Sequence, residues 1–389
     1  MSIYLDNSAT TKICKEALEK YIEVSENVYG NPSSLHGMGV NAEKELDLAR
    51  LEIKNSIKDR DCEIIFTSSG SEANKLAIMG RALSKERYKK GAKIITTDSE
   101  HASVSSPINK LSEMGFKIAR IPTKMGFIDL DALEREMTSD VVLVTVMMVN
   151  NETGALYDVS KISNIMRASS PDAYLHVDAT QSYLKIPFTR KSLGADMITI
   201  SSHKIEGPKG VGALIVSPRI IKERGLSPII FGGGQEKGLR SGTENVPGIA
   251  AFGAAIKKGA ALISENSAKM EALRSYLIEK INTDDTLSSI SITNPISHAP
   301  HIINLTLPSI KSETMLHYLS SLGIYVSSGS ACSSNSNSIS SALTAYGRSI
   351  SEADSSIRIS FSARNELSDV DALADALKSG ILRLARIKK

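Results

Sequence analysis

Short runs of β-branched and other apolar residues recur along the first half of the chain, at 64–67, 93–97, 117–121, 141–149, 174–178, 197–201 and 212–216. Between many of them, at 72–87, 102–114, 130–137 and 159–168, apolar residues return every three or four positions instead. A near-continuous apolar run suits a strand buried on both faces, whereas the longer spacing marks a helix with one buried side. Their alternation predicts an α/β fold whose mostly parallel, seven-stranded sheet carries helices on both faces. After the seventh strand the pattern changes. A long helical stretch is expected over 248–281, with breaks inside it, then strands near 302–307, 323–327 and 357–362 and helices near 313–322 and 369–386. The expected organisation is a large α/β domain over residues 15–260 and a smaller α+β domain built from 1–14 and 261–389.

Composition narrows the class. With 389 residues, 41% of them hydrophobic, the chain can bury a full core, and a mean hydropathy of −0.08 with no apolar run near bilayer length predicts a soluble protein. The start, Met1-Ser2-Ile3-Tyr4-Leu5-Asp6-Asn7, has neither the basic nor the apolar region of a secretory signal. Three cysteines, at 14, 62 and 332, make no disulfide framework and point to a reducing, cytoplasmic setting. With 46 basic against 43 acidic residues the net charge is only +3, so neither a nucleic-acid surface nor a membrane partner is expected.

The candidate chemistry lies where the strands end, because ligands of open α/β sheets bind beyond the carboxyl ends. After 64–67 comes Ser68-Ser69-Gly70-Ser71-Glu72, opening a helix. Gly70 permits close backbone approach and Ser71 offers a hydroxyl beside free helix N–H groups, which suits a phosphate; an ordinary serine cap fits the same residues. After 174–177 comes Asp178-Ala179-Thr180-Gln181. An acid at the end of a buried strand needs a cation unless it is simply a solvated turn residue. After 197–201 comes Ser202-His203-Lys204. A lysine facing a polar crevice can lose its proton readily enough to form a Schiff base, with Ser201 or Ser202 and His203 beside a phosphate. Lys209, in a Gly/Pro loop, and Lys191, in a polar helix-like segment, suit solvated roles better. His101 opens a helix after the strand ending at Thr97, where it either caps the helix or handles protons against a flat ring. His298 and His301 flank Pro300, a spacing that does not suggest a metal site.

The segment Ser327-Ser328-Gly329-Ser330-Ala331-Cys332-Ser333-Ser334-Asn335 is different in kind. Cysteine is usually buried, yet this stretch supplies nothing large and apolar to bury it, so Cys332 is expected to be an exposed nucleophile. Cys14 and Cys62 lack such a setting and are expected to be structural.

Taken together, these residues resemble the NifS/IscS-type cysteine desulfurases of the class V aminotransferase-like, fold-type I pyridoxal-phosphate enzymes. The resemblance runs nearly end to end. It is carried by Tyr4-Leu5-Asp6-Asn7-Ser8-Ala9-Thr10-Thr11, Gly30-Asn31-Pro32-Ser33-Ser34-Leu35-His36, Asn150-Asn151-Glu152-Thr153-Gly154, His176-Val177-Asp178-Ala179-Thr180-Gln181, Ser202-His203-Lys204, Arg240-Ser241-Gly242-Thr243-Glu244-Asn245 and Ser328-Gly329-Ser330-Ala331-Cys332. The resemblance implies pyridoxal 5'-phosphate as cofactor, Lys204 as the Schiff-base lysine and Asp178 as the partner of the pyridinium nitrogen. It implies Asn151 and Gln181 beside the ring and its phenolic oxygen, His101 stacked on the ring, and Gly70, Ser71, Ser201, Ser202 and His203 around the phosphate. Thr243 would reach the phosphate of a neighbouring subunit in a homodimer. Arg358, assisted by Asn31, would clamp the carboxylate of L-cysteine, and Cys332 would carry the sulfur as a persulfide. The acceptor implied is an iron–sulfur scaffold or a tRNA-thiolation enzyme.

Some positions depart from the family pattern. Ser71 stands where threonine is common, Glu206 where an aromatic residue or glycine is common, and the stretch after Cys332 lacks the usual Glu-Pro pair. The sequence ends soon after its last expected helix, so scaffold binding through a C-terminal extension is not expected. A selenocysteine lyase or an aminotransferase would keep Lys204 and Asp178 without needing Cys332. A non-enzymatic relative would be expected to lose Lys204.

Overall fold

The computed structural model describes residues 2–84, 92–328 and 340–384. Its main sheet has seven strands, in the spatial order Glu63–Thr67, Gly212–Val216, Met197–Ser201, Tyr174–Asp178, Val141–Met147, Lys93–Thr97 and Lys117–Ile121. Only Gly212–Val216 runs antiparallel to its neighbours; the remaining pairs are parallel. The mostly parallel sheet read from the apolar runs is therefore present, and its boundaries differ by at most two residues.

Both faces of this sheet are buried, which is why its strands read as continuous apolar runs. Successive side chains alternate between two cores. Ile65, Ile94, Leu143, Tyr174, Met197 and Leu214 pack under the helices Gly70–Ala82 and Ala102–Glu113. Phe66, Ile95, Val144, Leu175, Ile198 and Ala213 pack on the other face, against the helices Lys15–Asn27, Gly37–Ser56, Val159–Ser169 and Val246–Ala261.

A four-stranded antiparallel sheet follows, in the order Ser291–Thr293, Ile302–Thr306, Ser356–Ser360, Ser327–Ser328. It shares a third core with the helices Ile263–Thr283, Ser312–Ser321 and Leu367–Leu384. The N-terminal segment joins this part of the molecule: Ile3–Tyr4 pairs in parallel with Ile324–Tyr325, and Leu5 is buried in the same core. The long helix expected over 248–281 is two helices, Val246–Ala261 and Ile263–Thr283, bent by 74°. Among the described residues no single helix is long and apolar enough to cross a membrane.

The register brings the carboxyl ends at Thr67, Ser201, Asp178, Met147 and Thr97 to one edge of the main sheet. Gly212 lies opposite both Thr67 and Ser201 there. A Cβ on Gly212 would stand 2.4 Å from the Ser69 carbonyl carbon and 2.7 Å from the Gly70 nitrogen, so only glycine lets the turn at Ser69 close over the sheet.

Candidate active site

A cleft of about 280 Å³ opens at this edge. Its walls include Gly70, Ser71, His101, Asn151, Asp178, Gln181, Ser201, His203, Lys204 and Arg358, ten of the residues singled out from sequence. Ser202 does not line it. The Ser202 side chain is buried next to Gly207, where an added Cβ would stand 2.2 Å from its hydroxyl oxygen. Asn31 and Thr243 are exposed and also lie outside the cleft lining of this single chain. Cys332 lies outside the described residues.

Asp178 is the electrostatic centre. It is buried, yet it accepts only neutral donors: the Thr180 backbone N–H at 2.9 Å and the Asn74 amide at 2.8 Å. Among the described residues no cation lies within ion-pair distance of it. A buried carboxylate without a counter-ion is costly, and a bound cationic ring removes that cost. Asn74 also donates to the Ser103 hydroxyl at 2.8 Å, and that hydroxyl is 2.8 Å from His101 Nδ1. A chain of hydrogen bonds thus links Asp178 to His101. His101 is both cap and cleft residue: its Nδ1 accepts the Ser103 N–H at 3.1 Å, which leaves the proton of a neutral ring on Nε2. Burial, reinforced by the Lys204 and Arg358 cations and opposed by Asp178, pushes the His101 pKa down and keeps the ring neutral at physiological pH.

Lys204 follows the strand end in a short 3₁₀ turn and donates to the carbonyls of Ser8 at 2.5 Å and Ala9 at 2.8 Å. The N-terminal segment therefore walls the site. Arg358 enters from the other sheet, where it stands opposite Asn304 and Ser327. Its Nη1 donates to the Asn151 carbonyl at 2.9 Å and its Nη2 to Asp6 at 2.8 Å, while its buried Nε has no partner among the described residues. A phosphate would find Ser71, the first turn of the helix opening at Gly70, His203, and the Ser201 hydroxyl, which is buried without a partner among the described residues. A Cβ on Gly70 would stand 3.2 Å from Ser201 Cβ and 3.3 Å from the Thr180 hydroxyl, crowding that cradle. Orphaned acid, orphaned hydroxyl and open cradle together fit a flat cofactor with a cationic ring at one end and a phosphate at the other.

Glu206 has a physical role in this arrangement. Its backbone sits at φ 64°, and its carboxylate pairs with Lys258 at 3.0 Å and with Arg364 at 2.7 and 3.1 Å. It ties the turn after Lys204 to a helix of the large core and to the second sheet region. Asp6, Asn74, Ser103 and the Ser8 and Ala9 carbonyls are site groups that the sequence does not single out. Asp6, Ser8 and Ala9 lie in the motif at 4–11 without an assigned role there, and Asn74 carries a local signal, being one helical turn beyond Gly70 on a face that packs inward.

Glu100, below the cleft, yields a stability test. Thr97 and the Met147 N–H donate to its Oε1 at 2.7 and 3.0 Å, while Oε2 is buried without a partner among the described residues. Burial, with added repulsion from Asp178 and Asp98, pushes its pKa up to about 8. The unfolded chain ionises this group near its ordinary value and the folded chain only near 8, so its contribution to stability falls across that window as pH rises. Glu100→Gln is expected to melt with the parent at about pH 4.5 and at least about 2–4 °C above it at about pH 8. A pH-independent difference in melting temperature rules this out.

These features define a class: an α/β enzyme with an acid and a lysine at neighbouring strand ends facing an arginine from a second sheet. The family model for class-V aminotransferases matches residues 3–373. A NifS/IcsS protein homolog of Lactobacillus delbrueckii is 40% identical over 380 residues, covering 95% of this chain and 94% of its own. The cysteine desulfurase IscS of Dictyoglomus turgidum is 36% identical over 99% of this chain and 96% of its own. The solved structure of a NifS-like protein superimposes with a TM-score of 0.90 at 34% identity, covering 97% and 99% of the two chains. The chain belongs to the class-V aminotransferases, pyridoxal-phosphate enzymes, and within them to the NifS/IscS group of cysteine desulfurases.

Proposed function

We propose that this chain removes sulfur from L-cysteine, releasing L-alanine and leaving a persulfide on Cys332. The observation that carries this reading is the meeting of Asp178, Lys204 and Arg358 in one cleft, together with a cysteine in a Gly/Ser/Asn stretch of the sequence.

The residues divide the work. Lys204 would anchor pyridoxal 5'-phosphate, Asp178 would pair with its ring nitrogen, and Gln181 and Asn151 would serve its phenolic oxygen. His101 would cover the ring, and Gly70, Ser71, Ser201 and His203 would hold the phosphate. When bound, the cofactor supplies an electron sink for charge at the substrate Cα. Arg358 takes the substrate carboxylate, for which a planar guanidinium with an Nε left to donate is suited. The Lys204 amine removes the Cα proton and returns it later. Neutral His101 accepts the thiol proton of the substrate, the task an unprotonated imidazole performs near neutral pH. The Cys332 thiolate attacks the substrate sulfur, and the Cβ–S bond breaks with its electron pair on carbon. Protonation then gives alanine.

Two features support a homodimer with shared sites. The helices Lys15–Asn27 and Gly37–Ser56 expose Leu18, Ile22, Leu48 and Leu51, an apolar face suited to a second copy. Thr243 is exposed at the surface, where it can reach a neighbour's phosphate. The persulfide would pass to an iron–sulfur scaffold or a tRNA-thiolation enzyme. Buried, free Cys14 and Cys62 suit the reducing cytoplasm, and burial pushes the Cys62 thiol up to about 11, out of reach of thiolate chemistry.

The test is to supply the purified holoenzyme with cysteine and a reductant and to measure alanine and sulfide together. Equal amounts of both are expected. Alanine from selenocysteine alone would replace this reading with a lyase.

A further inference from the structure

Lys185 is a second lysine beside the site, and no step described above uses it. It is buried, in the turn that follows Gln181, and among the described residues no carboxylate pairs with it. The ionisable groups that interact with it are Lys204, Arg358, His203 and His301, none of which neutralises an ammonium. His301 is itself buried, with neither ring nitrogen bonded among the described residues. An amine so placed weakens the fold, and such exceptions to core composition concentrate at functional sites.

Its geometry is specific. Lys185 Nζ donates to Gln181 Oε1 at 3.4 Å, four residues back. Gln181 Nε2 donates to the Ser8 carbonyl at 2.9 Å, the same oxygen that receives Lys204 Nζ at 2.5 Å. The two ends of the Gln181 amide are thereby distinguished. A flipped amide would turn its NH₂ toward the Lys185 amine and its oxygen toward the Ser8 carbonyl, losing both bonds. The observed orientation leaves the second Nε2 hydrogen for the cleft that Gln181 lines. Burial, with Lys204 and Arg358 nearby, pushes the Lys185 pKa down to about 7, and the amine keeps N–H donors in either protonation state.

We propose that Lys185 is a positioning residue: it locks the Gln181 amide with its N–H toward the cofactor's phenolic oxygen, and so sets the proton affinity of the bound cofactor. The inference rests on the contact of Gln181 with the cofactor proposed above.

The experiment is a pH titration of the visible absorbance of four holoenzymes: the parent, Lys185→Met, Gln181→Ala and the double variant. Gln181→Ala and Lys185→Met are each expected to move the midpoint by at least about 0.5 pH unit in the same direction. The double variant is expected to match Gln181→Ala, because a residue that acts only through another adds nothing once the other is gone. A Lys185→Met midpoint equal to the parent's overturns the proposal. So do two shifts that add, since they would make Lys185 an independent charge. If Lys185→Met aggregates, Lys185→Leu, which also lacks a donor, serves the same comparison. A parent with no visible band would instead strike the functional reading on which this rests, while a banded parent that turns cysteine into alanine leaves that reading standing whatever Lys185 does.

Discussion

Lys204→Ala is expected to lose covalent attachment of the cofactor and to make alanine from cysteine about 10³-fold more slowly, or worse. Two roles disappear at once: the anchor, and the amine that moves the Cα proton, a transfer worth about 10²–10⁴ in rate. The fold should survive, because the side chain is only partly buried and its partners include two backbone carbonyls, those of Ser8 and Ala9, that water can satisfy in its place. Among the described residues no other lysine lines the cleft. Lys191 and Lys209 are exposed and absent from the cleft lining, and Lys185 does not line it either. Borohydride reduction followed by peptide mass analysis reads the result. The parent should carry the cofactor's mass on the peptide containing Lys204, and the variant should carry it nowhere. A variant labelled at another lysine, or one with parental alanine production, removes Lys204 from its role.

The main sheet is legible in the sequence because its strands are buried on both faces, and an unbroken apolar run of five residues is too short to be a buried helix. The helices Lys15–Asn27 and Gly37–Ser56 give no such signal. In the first, Ala17 and Val24 are buried while Leu18 is 46% and Ile22 is 47% exposed. In the second, Ala42, Leu46, Ala49 and Ile53 are buried while Leu48 and Leu51 are exposed on the opposite side, and a periodicity argument needs the apolar residues on one side. The bend at Leu262 is legible only as a break somewhere inside 248–281. No proline fixes its place, Gly259 in the turn before it is one of several small residues there, and the helical pattern resumes directly beyond it.

The site follows the same logic. Asp178, Lys204 and His101 stand at strand ends, so one rule about open sheets is enough to gather them. The groups that hold them come from positions no spacing connects. Asp6 holds Arg358 across 352 residues, and the Ser8 carbonyl meets Lys204 across 196. Glu206 is an anomaly in sequence because its partners, Lys258 and Arg364, belong to two other elements. Ser202 shows the converse error: adjacency to Ser201 and His203 suggests a phosphate ligand, but neighbouring residues at a strand end point to opposite sides.

Cys332→Ala is expected to separate cofactor chemistry from sulfur transfer. The substitution leaves Lys204, Asp178, Arg358 and the phosphate cradle unchanged, so the variant should purify yellow and still change its spectrum when cysteine is added. Sulfur removal should then stall, with alanine formation down by about 10²-fold or more, because the substrate sulfur is a poor leaving group unless a nucleophile accepts it. Selenium leaves more readily, so selenocysteine should lose much less. Protein-bound persulfide should vanish in the variant, since Cys14 and Cys62 are buried and their thiols are pushed up and away from the thiolate form. The assay gives parent and variant each amino acid and measures alanine, sulfide and protein persulfide. If the variant makes alanine from cysteine at the parental rate, the sulfur departs without Cys332 and the persulfide route is wrong.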